Sequence, residues 1–173
     1  MKQVVLLRGV NVGGHNKLRM AELRKALTSF GFEDVATYIQ SGNIVLRTPR
    51  PETLEEEVRQ LLEREFGMQV SVIVRDHAQL VSAAERYPFS SPDTKLQHVG
   101  FLSAEPEPEA VAALDPDRGG QDRWAVEGRE LFTFVPGGMA RTKLSTAFFE
   151  RLGVRVTVRN WRTLHKLIEM SAS

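Results

Sequence analysis

Two glycine pairs, each followed within a few residues by cations, are where this sequence concentrates residues able to do chemistry. The first is Gly13-Gly14, in the stretch from Arg8 to Lys17 that also holds Asn11 and Asn16. Glycine lets consecutive backbone N–H groups turn toward a ligand, and a following helix N-terminus favours negative charge. Arg8 and Lys17 would add charge-assisted hydrogen bonds to a phosphate or carboxylate, and both asparagines can donate. The second pair is Gly137-Gly138, ahead of Arg141 and Lys143. Anion capture is the chemistry either loop could perform, and for the second an ordinary surface loop is the competing reading. The first loop is not a Walker A loop, because His15-Asn16 follows Gly14 where Lys-Ser/Thr would stand, and it is not Gly-x-Gly-x-x-Gly. The competing reading is a tight strand-to-helix turn.

Two further clusters are candidate ligand contacts. Tyr38-Ile39-Gln40-Ser41-Gly42-Asn43 would put Tyr38, Gln40, Ser41 and Asn43 at a hairpin tip. Ser41 is a conceivable nucleophile, but no His or Asp stands at a recognisable spacing to activate it. Arg159-Asn160-Trp161-Arg162-Thr163 opens the last helix. Asn160 suits an N-cap. Arg159 and Arg162 sit where the helix dipole disfavours cations, which hints at an anionic ligand or an acidic partner surface. Trp161 either stacks on a base or sugar, or belongs to the core. His15, His77, His98 and His165 show no metal-ligand spacing, so no metal site and no cofactor are expected. Glu55-Glu56-Glu57 reads as a solvated helix face.

The charge is distributed unevenly. The net charge is only +1, but residues 1–31 carry six Lys/Arg and one acid, and residues 136–166 carry seven and one. Between them, residues 51–135 carry eight Lys/Arg against seventeen acids. A fold that joined the basic ends would build one positive site on an acidic body, and such a site attracts anions. With no cysteine, disulfides, thiol chemistry and Cys-based zinc sites are excluded. The apolar run Val4–Leu7 is too short for a signal peptide, and nothing approaches the roughly 20 apolar residues of a membrane span. A cytoplasmic protein without a membrane partner is expected.

These loops need strands and helices to position them. Val4–Arg8 reads as a buried strand. Met20, Leu23, Leu27 and Phe30 recur at helical spacing, and Gly31 stops that helix. Val35–Gln40 and Ile44–Arg47 form a hairpin. Thr53 with Glu56 reads as a capping box for a helix with Leu54, Val58, Leu61 and Leu62 on one face. Val70–Val74 is a strand, and Asp76 can cap a connecting helix. The order is βαββαβ. After the break at Pro88–Pro92 a second round begins: a strand at Gln97–Leu102, a short helix at Ala110–Leu114 and a hairpin around Gly128. A helix through Leu144, Phe148 and Leu152, a strand at Val154–Val158 and a terminal helix complete it. The expected fold is α+β, with two ferredoxin-like subdomains in tandem plus a C-terminal helix. Residues 1–88 form the first, with its connecting helix, and residues 93–173 the second, with the terminal helix.

Three segments taken together, Leu6–Lys17, Thr37–Asn43 and Thr157–Thr163, resemble the uncharacterised bacterial family known as domain of unknown function 1697. The order and spacing match over nearly the whole chain. The resemblance implies paired ferredoxin-like subdomains and brings no assigned reaction. Where that family often has Asn between Trp and Thr, this chain has Arg162, which makes the segment more basic.

The function expected first is binding of a phosphate-bearing, nucleotide-like ligand at the basic glycine loops between the subdomains. A small anionic ligand is the expected partner, with nucleic acid as one version of it. Phe132 and Phe134 share a strand face as the base-stacking aromatics of an RNA-binding sheet do, but a core is their commoner destination. One alternative is a hydrolase or transferase acting on a phosphorylated small molecule. Its stabilising cations would be Arg8, Lys17, Lys143 and Arg159, and its reactive group Ser41, Tyr38 or His15. The other is a protein-interaction module, with the acidic middle of one chain docked on the basic ends of another.

Overall fold

A computed structural model describes all 173 residues. The chain is α+β, with two four-stranded antiparallel sheets and six α-helices. Two compact units divide it: residues 1–81 with 166–173, and residues 82–165. No helix is long and apolar enough to cross a membrane.

The first unit runs β1 (Lys2–Leu7), α1 (Met20–Phe30), β2 (Glu33–Tyr38), β3 (Asn43–Arg47), α2 (Leu54–Phe66), β4 (Val72–Asp76) and the start of α3 (His77–Glu85). Its sheet order is β2-β3-β1-β4. Alternate strand residues point to opposite faces. Val5, Leu7, Ile44, Leu46 and Val72 therefore share one face, and they pack with Leu23 and Leu27 of α1 and Leu54, Val58 and Leu61 of α2. Gly31 and Gly67, both at positive φ, end the two helices as expected. The capping box at Thr53 does not form. Pro51 opens a 3-10 turn that leaves Thr53 in helical geometry, so its hydroxyl sits within donor reach of Glu57 Oε1 (2.9 Å) and the Arg50 carbonyl (3.3 Å) instead. Glu56 pairs with Arg59 at 2.6 Å, a solvated helix-face contact.

The second unit repeats the plan with the end of α3, β5 (Gln97–Leu102), α4 (Pro108–Ala112), β6 (Arg123–Glu127), β7 (Glu130–Phe134), α5 (Thr146–Phe149), β8 (Val156–Asn160) and the start of α6 (Trp161–Ser171). Its order, β6-β7-β5-β8, is the first unit's order again. Phe148, Phe149 and Leu152 cover Leu102 and Leu131. The helix expected through residues 144–152 is only one turn. Ser145 caps it by accepting from the Phe148 N–H at 3.1 Å, leaving Leu144 outside, and a 3-10 turn completes the segment.

The repeat extends to side chains. Arg75 pairs with Val4 across β4–β1, and Arg159 with Val99 across β8–β5. Each Arg is buried, and each donates from Nη1 to the preceding carbonyl, Val74 or Val158, at 3.0 Å. The next residue caps the next helix. Asp76 accepts from the Gln79 N–H and Asn160 from the Thr163 N–H, both at 2.8 Å.

Pro88–Pro92 lies inside the second unit. Tyr87 anchors it by donating its hydroxyl to the Thr133 carbonyl at 2.6 Å and packing against Phe89, Phe132 and Trp161. The last turns of α6 belong to the first unit. There Lys2 Nζ donates to the Met170 carbonyl at 3.1 Å, and His77 Nδ1 lies 2.9 Å from Ser171 Oγ.

Candidate functional site

The first glycine loop is a small protruding hairpin. The Asn11 N–H donates to the Asn16 carbonyl, and the His15 N–H to the Val12 carbonyl at 3.0 Å. Gly13 and Gly14 occupy the centre of the resulting turn, both with positive φ (58° and 77°), as a two-residue hairpin turn requires. Residues 12–17 are exposed. The expected junction of glycine tip and helix N-terminus is absent, because α1 begins only at Met20 and His15–Arg19 intervene. The N–H groups of Gly13 and Gly14 and the Lys17 ammonium make no intramolecular hydrogen bond.

Asn11 fixes this hairpin. Its Nδ2 donates to the carbonyls of Leu18 (2.8 Å) and Gln40 (2.6 Å), and its Oδ1 accepts from the Leu18 N–H (2.7 Å). Asn16 Nδ2 donates to the Gly9 carbonyl at 3.3 Å. Both amides expected to hold a ligand therefore hold backbone. Arg8 is half-buried, and its N–H donates to the Ser71 carbonyl.

The segment Tyr38–Asn43 is a four-residue turn closed by the pair Tyr38 and Asn43. Gly42 seats it against the first loop. Its φ is +82°, and a Cβ there would lie 2.7 Å from Leu7 Cβ and 2.8 Å from Val10 Cγ2. Its carbonyl accepts from the Leu7 N–H at 2.9 Å. Asn43 is fully buried and donates to the Tyr38 carbonyl (3.2 Å) and Ser41 Oγ (3.0 Å). An amide donating to Ser41 Oγ does not remove its proton, so this contact does not activate the hydroxyl. Tyr38 is half-buried and Gln40 exposed. The structure thus brings two of the sequence clusters together, residues 8–17 and residues 38–43, within the first unit.

The remaining candidates lie in the second unit, at two separate places. Lys143 is exposed on the loop between β7 and α5. That loop is held by Gly138 N–H to the Val135 carbonyl (2.9 Å) and Thr142 Oγ1 to Asp122 Oδ2 (2.5 Å). Arg159, Asn160 and Trp161 form the β8–α6 junction. Arg159 donates to Thr157 Oγ1 at 2.8 Å, and burial pulls its pKa down to about 10, which leaves it charged at neutral pH. Asn160 is the helix cap described above. Trp161 is half-buried, with its ring 5.0 Å from Tyr87 and 4.9 Å from His165. Phe132 is in the core.

Sequence reasoning passed over two features. A groove of about 580 Å3 opens between α1 and α2, lined by Lys25, Arg64, Phe30 and Phe66 among others. One row across the second sheet, Trp124–Thr133–His98, leaves three buried polar atoms without a partner: Trp124 Nε1, Thr133 Oγ1 and His98 Nδ1. Only strand register places those three side by side, so no local pattern could have found them.

Comparison with known proteins agrees with this architecture. No curated protein matches the chain. A solved structure, conserved bacterial protein SP0830 from Streptococcus pneumoniae, is similar over 99% of this chain and 98% of its own, with 25% identity and a TM-score of 0.77. The family model described as protein of unknown function (DUF1697) matches residues 1–132, which takes in the glycine hairpin, the Tyr38–Asn43 turn and the Asn11 bond between them. The chain belongs to the DUF1697 family.

Proposed function

We propose that this protein binds a phosphate-bearing, nucleotide-like ligand at the Gly13-Gly14 hairpin, and does so as a cytoplasmic binding protein. The observation that carries the reading is the Asn11 amide, which ties the hairpin to the Gln40 turn and to Leu18. A tip held from its base keeps two unpaired backbone N–H groups and the Lys17 ammonium presented at little ordering cost when an anion arrives. Gly13, Gly14 and Lys17 are the proposed contacts, with Arg8, Tyr38 and Gln40 beside them. Lys143, on the second unit's own glycine loop, is a separate basic site. Asn11, Asn16, Ser41, Asn43, Arg159, Asn160 and Trp161 serve the scaffold in this reading. The strand order and βαββαβ connections of each unit support reading both as ferredoxin-like. The protrusion of the hairpin favours one second reading, in which the ligand is the phosphate backbone of a nucleic acid.

A thermal-shift series with nucleoside phosphates, phosphosugars and short RNA tests this. A ligand selective for the folded state raises Tm by mass action. The expected result is a shift with a phosphate ester that Lys17→Ala abolishes. A shift unchanged in Lys17→Ala, or no shift with any phosphate ester, overturns the proposal. A binding constant that falls steeply with salt selects nucleic acid over a small nucleotide.

A further inference from the structure

The two sheets have four edge strands, and three of them are unfit for pairing with another chain. In β4 and β8 most residues are buried. In β2 the register shifts between Glu33 and Ala36, and Asp34 has a φ of +50°. A bulge with charges beside it is a common way to blunt an edge. The corresponding strand of the second unit, β6, has no such protection. Its five residues, Arg123-Trp124-Ala125-Val126-Glu127, pair with β7 without a register shift. Trp124, Ala125 and Val126 are all half-exposed along it.

The outward backbone groups of β6 follow from the hairpin. Gly128 and Arg129 form a two-residue turn, so Glu127–Glu130 is a hydrogen-bonded pair, as are Ala125–Phe132 and Arg123–Phe134. The N–H and C=O groups of Trp124 and Val126 therefore point away from β7. An antiparallel copy of the same strand, centred on Ala125, sets Trp124 opposite Val126 with those groups facing each other. It also sets Arg123 opposite Glu127 at both ends, in non-hydrogen-bonded pairs where side chains approach most closely. Arg123 is exposed and has no ion-pair partner of its own. The Glu127 side chain is 61% exposed, and its one ionic neighbour is Arg86 at 3.5 Å, so a second cation can share the carboxylate.

We propose that β6 is a self-complementary edge by which two copies of this chain associate, making one continuous eight-stranded sheet about a twofold axis. The occupant is a second copy because the strand reads as its own antiparallel complement in charge, in backbone groups and in its aromatic–β-branched pair. The pairing is short, so the dimer is weak and dependent on concentration.

Sedimentation equilibrium over a wide protein concentration range tests the proposal, with circular dichroism confirming that each variant is folded. Wild type is expected to pass from monomer to dimer. Arg123→Glu and Glu127→Arg each place like charges at both ends and are expected to weaken the dimer about tenfold. The double variant Arg123→Glu/Glu127→Arg restores the pairs and is expected to recover wild-type association. Val126→Pro removes an outward N–H without touching the ladder to β7, and is expected to give a folded monomer. Wild type that stays monomeric at every concentration overturns the proposal. So does a dimer that the single charge reversals leave unchanged, or one that the double reversal does not restore.

Discussion

Asn11 Nδ2 and the carbonyl oxygen of Gln40 lie 2.6 Å apart, joining positions 29 residues apart in the chain. The same side chain closes on both backbone groups of Leu18. Asn11 itself has a φ of +56°, a conformation that Asn tolerates better than most residues. One amide therefore holds the glycine hairpin, the approach to α1 and the β2–β3 turn in a fixed relation.

Asn11→Ala removes all three hydrogen bonds and leaves partly buried backbone groups unpaired. The expected loss is about 2 kcal/mol, read from urea midpoints at unchanged slope. Asn11→Asp keeps the acceptor for the Leu18 N–H, loses both donors, and should fall between the two. A midpoint for Asn11→Ala equal to wild type would show that the hairpin does not depend on this residue.

Gly42 and Gly14 both have positive φ but differ in surroundings. A Cβ at Gly42 meets Leu7 and Val10 within 2.8 Å, whereas nothing lies within 4 Å of one at Gly14. Gly14→Ala should cost only the backbone penalty, about 1 kcal/mol. Gly42→Ala adds overpacking against the buried end of β1 and should cost about 3 kcal/mol or more. Chemical denaturation of the pair decides the point, since equal losses would mean that the turn moves aside freely.

Most of the scaffold was legible because it is written in local periodicity. Leu23 and Leu27 marked α1, Leu54, Val58, Leu61 and Leu62 marked α2, and Asp76 and Asn160 announced helices that they do cap. What local pattern misses is pairing at a distance. Asn16 and Lys17 look alike as ligand candidates in sequence, but one bonds the Gly9 carbonyl and the other faces solvent. Arg159 reads in sequence as a ligand-contacting cation beside a helix start, yet its place in β8 opposite Val99 buries it. Its counterpart Arg75 could have been matched from the shared Val-Arg-Asp/Asn spelling. The two halves otherwise share too little sequence for the repeat to show before the strand order does.

His98 is buried in β5 with Nδ1 unpartnered, and burial lowers its pKa from the ordinary imidazole value. In the unfolded chain it titrates at about 6.5. The unfolded state therefore takes up the proton first as the pH falls. The contribution to stability is complete above that value and is lost as pH drops below it toward the folded pKa. Wild type should lose stability between pH 7 and the acid range more steeply than His98→Gln, in paired denaturation curves. Parallel curves would assign the acid sensitivity to carboxylates.

Asn160 distinguishes a scaffold role from a ligand role at the β8–α6 junction. Its Oδ1 accepts from the Thr163 N–H at 2.8 Å, and this end of α6 also carries Arg162, which opposes the helix dipole. If capping is its task, only an acceptor oxygen is needed. Asn160→Asp should then hold or raise stability, since it keeps the acceptor and adds a negative charge at the helix N-terminus. Asn160→Ala should lose about 1 kcal/mol. A ligand contact that uses the amide as a donor predicts a different pattern, in which Asp is as damaging to phosphate binding as Ala while stability hardly moves. Measuring Tm and the thermal shift with a phosphate ester on both variants separates the two. Loss of stability in Asn160→Ala alone, with binding intact in both, leaves the Gly13-Gly14 hairpin as the place where the ligand is held.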